Sequence, residues 1–244
     1  MNTIKADVKN VKMVAHRGLS GLETENTNAA FVAAGNRSYY GIECDVHITS
    51  DGKFAVIHDD STGRVCAENY VVEETSYDVL KNLRLYDMQL GAKKSGLVRA
   101  DYVIPELKDY ICICKKYSKV AVLELKKTMT EEQVRSVVHC IEEYGYSEST
   151  VFISFSWNNL VYVRKHRPDA TVQFLTDKHS DGLVEKLANS RFDLDIYFKE
   201  VTKELADDLH AHGLKLNCWT VDNPEDAKRM AECGVDFITS NILE

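Results

Sequence analysis

Five residues able to do chemistry stand at the ends of apolar runs. Glu43 and Asp45 lie two apart in GIECDVHI, Glu124 sits in VAVLELK, and His16 and His58 close extended segments just before Arg17-Gly18 and Asp59. Side chains alternate faces along a strand, so Glu43 and Asp45 point one way, as do Glu124 and Lys126. Carboxylates in so apolar a context are costly to bury unpaired. Pairing with an Arg or Lys at the strand ends is one remedy. For three carboxylates on two neighbouring strands, a divalent cation is the simpler one. Oxygen donors without a Cys–His cluster suit Mg²⁺ or Ca²⁺ better than zinc. Imidazole titrates near working pH, so two strand-end histidines beside such a site predict an acid and a base.

Charge decides what this site would accept. The three carboxylates, one divalent cation, Arg17 and Lys126 together carry about one positive charge; without the cation they carry about one negative charge. The loaded site attracts a singly charged phosphodiester, and its transition state more strongly, because charge grows on the phosphoryl oxygens. Phosphoryl chemistry that fails without the metal is the expectation. The other six histidines, His47, His139, His166, His179, His210 and His212, lie on helices or strand faces with no evident acidic or metal context and read as surface or packing residues.

These groups need a scaffold that aligns strand ends. Strand candidates recur at Lys12–His16, Gly41–Thr49, Val120–Lys126, Val151–Phe155, Thr171–Leu175, Leu194–Phe198, Lys215–Val221 and Asp236–Thr239. Between them lie helical stretches such as Glu131–Tyr144, Asn158–His166, Gly182–Asn189 and Thr202–His212. Thr130 with Gln133 spells a capping box, and Asn223 before Pro224 puts a cap ahead of a proline. Gly145, Gly213 and Gly234 stand where helices should end. Eight strands, each but the last followed by a helix, predict an α/β fold, a (β/α)8 TIM barrel, in which reactive groups gather at the C-terminal strand ends. A doubly wound open sheet is the alternative, but no Gly-rich phosphate loop follows the first strand. Ser50-Asp51-Gly52 signals a hairpin with Phe54–His58 returning. The irregular stretch from Asp59 to Ile104, with a helical piece near Tyr77–Leu83 and a polar loop through Gly91–Asp101, reads as a small insertion after the second strand. It would overhang the mouth of a single domain spanning residues 1–244, where loops select substrate.

Composition sets the bounds. The chain has 244 residues, is 44% hydrophobic and 28% charged, and carries a net charge of -8. That balance is ordinary globular usage, and an acidic surface disfavours nucleic acid and anionic lipid. No apolar run reaches the roughly 20 residues of a membrane span. MNTIKADVKN has no apolar signal core, and seven cysteines in apolar segments fit a reducing compartment, so a cytoplasmic location is expected. Cys112 and Cys114, two apart on a predicted helix, would diverge rather than share a zinc. The sequence is silent on oligomeric state.

Taken together, His16-Arg17-Gly18, Glu25-Asn26-Thr27 with Ala30-Phe31, Gly41–Val46, Thr49–Gly52 and His58-Asp59 resemble the glycerophosphodiester phosphodiesterases. The likeness continues through Ile104-Pro105, Glu124-Leu125-Lys126, Ser154-Phe155, Trp219-Thr220-Val221 and Gly234-Val235-Asp236. It implies the barrel with its insertion, and metal-dependent hydrolysis of a small-molecule glycerophosphodiester to glycerol 3-phosphate and an alcohol. By position it implies Glu43, Asp45 and Glu124 as metal ligands, His16 and His58 as base and acid, Arg17 and Lys126 as phosphate holders, and Trp219 as a substrate-lining residue. The mechanism usual for the family passes through a cyclic phosphate that water opens. Glu25 would support the site, and Asn26 or Thr27 would cap the first helix.

Two rivals share the barrel: a phospholipase-type lyase that releases the cyclic phosphate and stops, and a non-catalytic phosphodiester-binding module, which would lack one of these five groups. Three departures from the family pattern are visible. Thr24 stands for a proline, Asp222 for an asparagine, and Ser240 for an aspartate, with the proline after it missing. Lying at loop starts, they are expected to bear on substrate fit rather than on the chemistry.

Overall fold

The structure is a computed structural model that describes residues 2–8, 10–87 and 99–244. The strands β1 (Lys12–Ala15), β2 (Gly41–Ile48), β4 (Val120–Leu125), β5 (Thr150–Ser154), β6 (Thr171–Thr176), β7 (Asp193–Tyr197), β8 (Leu216–Trp219) and β9 (Phe237–Ser240) pair in parallel. Because β1 bonds both β2 and β9, the sheet closes on itself. The short β3 (Phe54–Val56) returns antiparallel on β2 through the hairpin at Gly52, with Val46 opposite Val56. The expected eight-stranded barrel is present.

Helices α1 (Asn28–Gly35), α3 (Leu107–Tyr117), α4 (Glu131–Glu143), α5 (Trp157–His166), α6 (Leu183–Ser190), α7 (Lys203–Ala211) and α8 (Pro224–Cys233) form the crossovers, and α2 (Tyr77–Leu80) belongs to the segment after β3. Sequence signals set their ends. Thr130 and Gln133 form the reciprocal cap of α4, and Asn223 accepts from the Glu225 amide ahead of α8. Gly145, Gly213 and Gly234 take left-handed backbone after α4, α7 and α8. On α3 the two cysteines diverge as expected, Cys112 exposed and Cys114 buried.

Strand alternation sorts β2 into two functions. Ile42, Cys44 and Val46 face outward into the apolar layer under the helices. Glu43 and Asp45 face inward, both buried. The barrel interior holds Val14, Val122, Ile153 and Leu175 as its apolar packing, with Gln173, Asp195, Asn217 and Thr239 as buried polar residues. A carboxylate can sit there only because the outward row supplies the burial that anchors the strand. Between β3 and α3 a separate apolar cluster, including Ile57, Val65, Leu80, Leu85, Tyr102 and Ile104, gives the inserted segment its own small core. The polar loop expected through Gly91–Asp101 lies mostly outside the described residues.

Candidate active site

Parallel register delivers the carboxylates to one level. Asp45 pairs with Glu124 across β2 and β4, and Glu43 sits one inward position below Asp45. One oxygen from each of Glu43, Asp45 and Glu124 lies within 4.8 Å of the other two, and all three are buried. This is the expected ligand set, brought together. Burial, Asp45 and Glu124 push the Glu43 carboxyl well above its usual range, with Arg17 opposing them. Burial and Asp45 likewise bring Glu124 up to about 7, against Lys126. Asp45 goes the other way: Lys126 and Arg17 outweigh its burial and hold it well down.

The pairing alternative is partly realised as well. Lys126 Nζ lies 2.8 Å from Glu124 and 3.3 Å from Asp45, and Arg17 Nε lies 3.5 Å from Asp45. These cations do not complete the site. Asp45 Oδ1 has the Lys126 ammonium beside it but no well-directed hydrogen bond among the described residues, and the buried Arg17 Nε likewise makes none. Three buried hard oxygen donors this close to one another fit a divalent cation.

Local backbone geometry turns Arg17 into the site. Its φ of 54° aims its N–H at Glu43 Oε2, 2.7 Å away, while its guanidinium reaches Glu25 at 2.9 Å. Sequence reasoning left Asn26 or Thr27 as the cap of α1, and the structure separates them. Thr27 caps α1 by accepting from the Ala30 amide, whereas Asn26 is buried and donates its Nδ2–H to Asp45 Oδ2 at 2.8 Å.

Both histidines reach the same mouth. His58 Nδ1 donates to Asp59 Oδ1 at 2.6 Å, a direction fixed because a carboxylate accepts. His16 Nδ1 lies 2.8 Å from Asn241 Oδ1. Desolvation and Arg17 lower His16 to about 4. Burial also lowers His58, but Asp45 and Asp59 pull the other way. His16, Arg17, Glu43, His58, Glu124 and Trp219 all border one cavity of about 120 Å³. Ile153, Phe155 and Leu175 make its wall apolar, and Asp195 and Thr239 also line it. Trp219 is flanked by Phe155 and Tyr197, each with its ring 5.9 Å away.

Sequence reasoning missed Arg64. Lying just past β3 in the inserted segment, it forks onto Glu25 at 2.7 and 2.9 Å and reaches Asp59 at 2.5 Å, so one guanidinium joins the partner of Arg17 to the partner of His58. No periodicity or turn signal marks such a residue.

Two further expectations need correction. His47 is not without acidic context: it is fully buried, with Nδ1 3.5 Å from Glu73 and Nε2 3.3 Å from the His58 carbonyl. His166 and His210 also meet carboxylates, Glu131 at 3.2 Å and Asp236 at 3.0 Å. The departures at Asp222 and Ser240 do not concern substrate fit alone. Asp222 accepts from Ser240 Oγ and from the backbone and side chain of Asn241, the residue that holds His16. Thr24, in the third departure, donates to the Tyr86 carbonyl at 2.7 Å and ties the first loop to the insertion.

Comparison with known proteins identifies the family and the fold. The sequence profile of the glycerophosphoryl diester phosphodiesterase family matches residues 16–243. A glycerophosphodiester phosphodiesterase of Caldanaerobacter subterraneus is 30% identical over 238 residues, covering 94% of this chain and 93% of that protein. One from Bacillus altitudinis is 29% identical, covering 93% of each. Among solved structures, a glycerophosphodiester phosphodiesterase from Parabacteroides distasonis superposes with a TM-score of 0.79 at 26% identity, covering 98% of this chain and 94% of that one. A phosphodiesterase from Oleispira antarctica, solved with the product sn-glycerol-3-phosphate, has the same fold, with a TM-score of 0.85 at 24% identity over 95% and 93% of the two chains. The match spans the barrel from His16 to its last strand, and the chain belongs to the glycerophosphoryl diester phosphodiesterase family.

Proposed function

We propose that this chain hydrolyses glycerophosphodiesters to glycerol 3-phosphate and an alcohol with one bound divalent cation, Mg²⁺ or Ca²⁺, by acid–base catalysis between two histidines. The observation that carries the reading is the convergence of the buried carboxylate triad with His16 and His58 on one cavity. Glu43, Asp45 and Glu124 would hold the cation, which supplies charge stabilisation at the phosphoryl oxygens and polarises the attacking hydroxyl. Lys126, whose ammonium lies at the edge of the triad, and Arg17 would bind the phosphate.

The two imidazoles differ in the direction a proton would move. His16, with the lower pKa, is the base and takes the proton of the glycerol 2-hydroxyl as that oxygen attacks phosphorus. His58, kept closer to its ordinary value by Asp45 and Asp59, is the acid and gives a proton to the departing alcohol. A cyclic phosphate results, and in the second half the two exchange roles while water opens the ring. Trp219 and its apolar neighbours border the space for the carbon skeleton. The catalytic unit is read as one domain over residues 1–244, with the segment at about 59–104 admitting the head group. The free cysteines fit a reducing, cytoplasmic setting.

The test is a panel of glycerophosphodiesters assayed after chelation, with Mg²⁺ and Ca²⁺ restored in turn and products followed by phosphorus NMR. Glycerol 3-phosphate forming only with cation is the expected outcome. Accumulation of a cyclic ester that never opens would assign the lyase reaction instead.

A further inference from the structure

Of the chain's eight histidines, His47 alone is fully buried, and no step of the proposed reaction uses it. It lies on β2 two residues beyond Asp45, on the same face, opposite Ala55 of the returning strand β3. Its Nε2–H donates to the backbone carbonyl of His58, 3.3 Å away, a direction fixed because a carbonyl only accepts. Its Nδ1 makes no hydrogen bond among the described residues and lies 3.5 Å from Glu73 Oε1.

His58 needs that hold because it stands just past the end of the β2–β3 ladder. The Ile57 N–H donates to the Asp45 carbonyl at 3.1 Å, and the Asp60 carbonyl accepts from the Val72 N–H at 2.9 Å. Between these two points no backbone hydrogen bond secures the chain among the described residues. The unit at stake is the peptide plane joining His58 to Asp59. That plane is rigid, so holding its carbonyl restrains ψ of His58 and φ of Asp59 together. On one side of it hangs the His58 imidazole, and on the other the Asp59 carboxylate that accepts from its Nδ1–H at 2.6 Å. One hydrogen bond therefore places both the acid and the group that orients it. The donor is shielded from water, so breaking the bond leaves it unsatisfied.

Glu73 backs the imidazole from the inserted segment. It belongs to a short 3-10 turn, Val72–Glu74, next to the N–H that holds Asp60. Lys127 Nζ lies 3.6 Å from Glu73 and 3.3 Å from Asp60, which braces the same stretch from the end of β4.

We infer that His47 is a positioning residue: its Nε2–H pins the His58–Asp59 peptide and so aims the His58 imidazole at the leaving alcohol. The inference rests on the proposed role of His58 as the acid and adds the residue that places it. Packing would need only the bulk of the His47 ring. Positioning needs a donor at Nε2.

The test compares three variants with Mg²⁺ and Ca²⁺ both present, by turnover of a glycerophosphodiester and by NMR of the imidazole nitrogens. Gln carries its amide nitrogen as far along the side chain as His carries Nε2, whereas Asn ends level with Nδ1 and Leu donates nothing. His47→Leu and His47→Asn should lower kcat about 10- to 10²-fold with KM within about threefold, the pattern of a misplaced reacting group. His47→Gln should keep kcat within about threefold of the parent. The His58 Nδ1–H signal should persist in the wild type and in His47→Gln, and be lost to exchange in the other two. A loss in His47→Gln equal to that in His47→Leu, or a His58 signal unchanged in His47→Leu, would overturn the proposal. Rescue by Asn but not by Gln would overturn it too, by making Glu73 the contact that matters. The wild type alone supplies a readout that needs no variant to fold: His47 should carry a slowly exchanging proton on Nε2, and an Nε2 without one would refute the hydrogen bond. Absence of turnover in the wild type would sink the proposed hydrolysis and leave the NMR comparison to decide what His47 does.

Discussion

Asp222 decides which way the hydrogen bond between His16 and Asn241 runs. A carboxylate only accepts, so Asn241 must turn its Nδ2–H toward Asp222, 2.6 Å away, and its Oδ1 toward His16. Its backbone N–H also donates to Asp222, at 2.7 Å, which fixes the loop. His16 Nδ1 is therefore the protonated nitrogen, and the lone pair lies on Nε2.

Breaking that chain should cost turnover more than binding. Asn241→Ala leaves the His16 tautomer unguided, and Asp222→Asn allows the amide to turn over. Each is expected to lower kcat between about 10- and 10²-fold, the scale of misplacing a reacting group, with KM little changed. His16→Ala removes the base itself and should cost about 10² or more. Steady-state kinetics over a pH series separates these cases. A parental rate in Asn241→Ala would show that the contact does not orient the imidazole.

Arg64 is expected to set the working pH of His58. Its guanidinium neutralises Asp59 and Glu25 together, with a fork that a lysine cannot copy. In Arg64→Gln, Asp59 acts on His58 with its charge uncompensated, so the imidazolium is favoured and its pKa rises. The alkaline limb of the kcat profile should move upward, while kcat falls about tenfold as Asp59 and Glu25 lose their anchor. Arg64→Lys should restore the charge and the pH limb but not the full rate.

Cation binding should release protons. Glu43 and Glu124 both hold their protons more tightly than exposed carboxyls, Glu124 to about 7. A raised carboxyl pKa in the folded state contributes stability below the unfolded value of about 4.5, and that contribution is lost as pH rises toward 7. The cation-depleted protein should therefore lose thermal stability from about pH 5 to pH 7, less so in Glu124→Gln. Over the same interval cation affinity should tighten, because fewer protons must be displaced. Calorimetry in buffers of different ionisation enthalpy measures the protons released. Uptake, or no release, at pH 6 would contradict the carboxylate assignment.

What the sequence disclosed, and what it withheld, follows from how far each signal reaches. The barrel is legible because alternation and capping are local: GIECDVHI alone says that Glu43 and Asp45 share a face opposite Ile42, Cys44 and Val46. The triad is legible once register is assumed, since parallel strands align Asp45 with Glu124. Arg64, Asn241 and Asp195 were not legible. Arg64 depends on where an irregular segment folds back. Asn241 depends on the chain's last loop meeting its first strand, 225 positions away. Asp195 reads as one more polar residue in FDLDIYF until the barrel closes and buries it in the interior, where burial and Glu124 push its carboxyl well above the usual range.

Gly18 offers a last test, because it couples the backbone of the first loop to the carboxylates. Its φ is +76°, and a Cβ there would lie 2.7 Å from both the carbonyl carbon and the Cβ of Ala30 in α1. Gly52 has a similar φ, +73°, but nothing within 4 Å of such a Cβ. Gly52→Ala should therefore cost only the left-handed backbone penalty, about 1–2 kcal/mol. Gly18→Ala adds overpacking against a backbone that cannot yield, about 1–3 kcal/mol more. It must also shift Arg17, whose N–H holds Glu43, and the Gly18 N–H that donates to the Glu43 carbonyl at 3.1 Å. Urea denaturation should rank Gly18→Ala well below Gly52→Ala, and only Gly18→Ala should weaken cation binding. If both variants bound the cation like the parent, the turn at Arg17 and Gly18 would not be what positions Glu43.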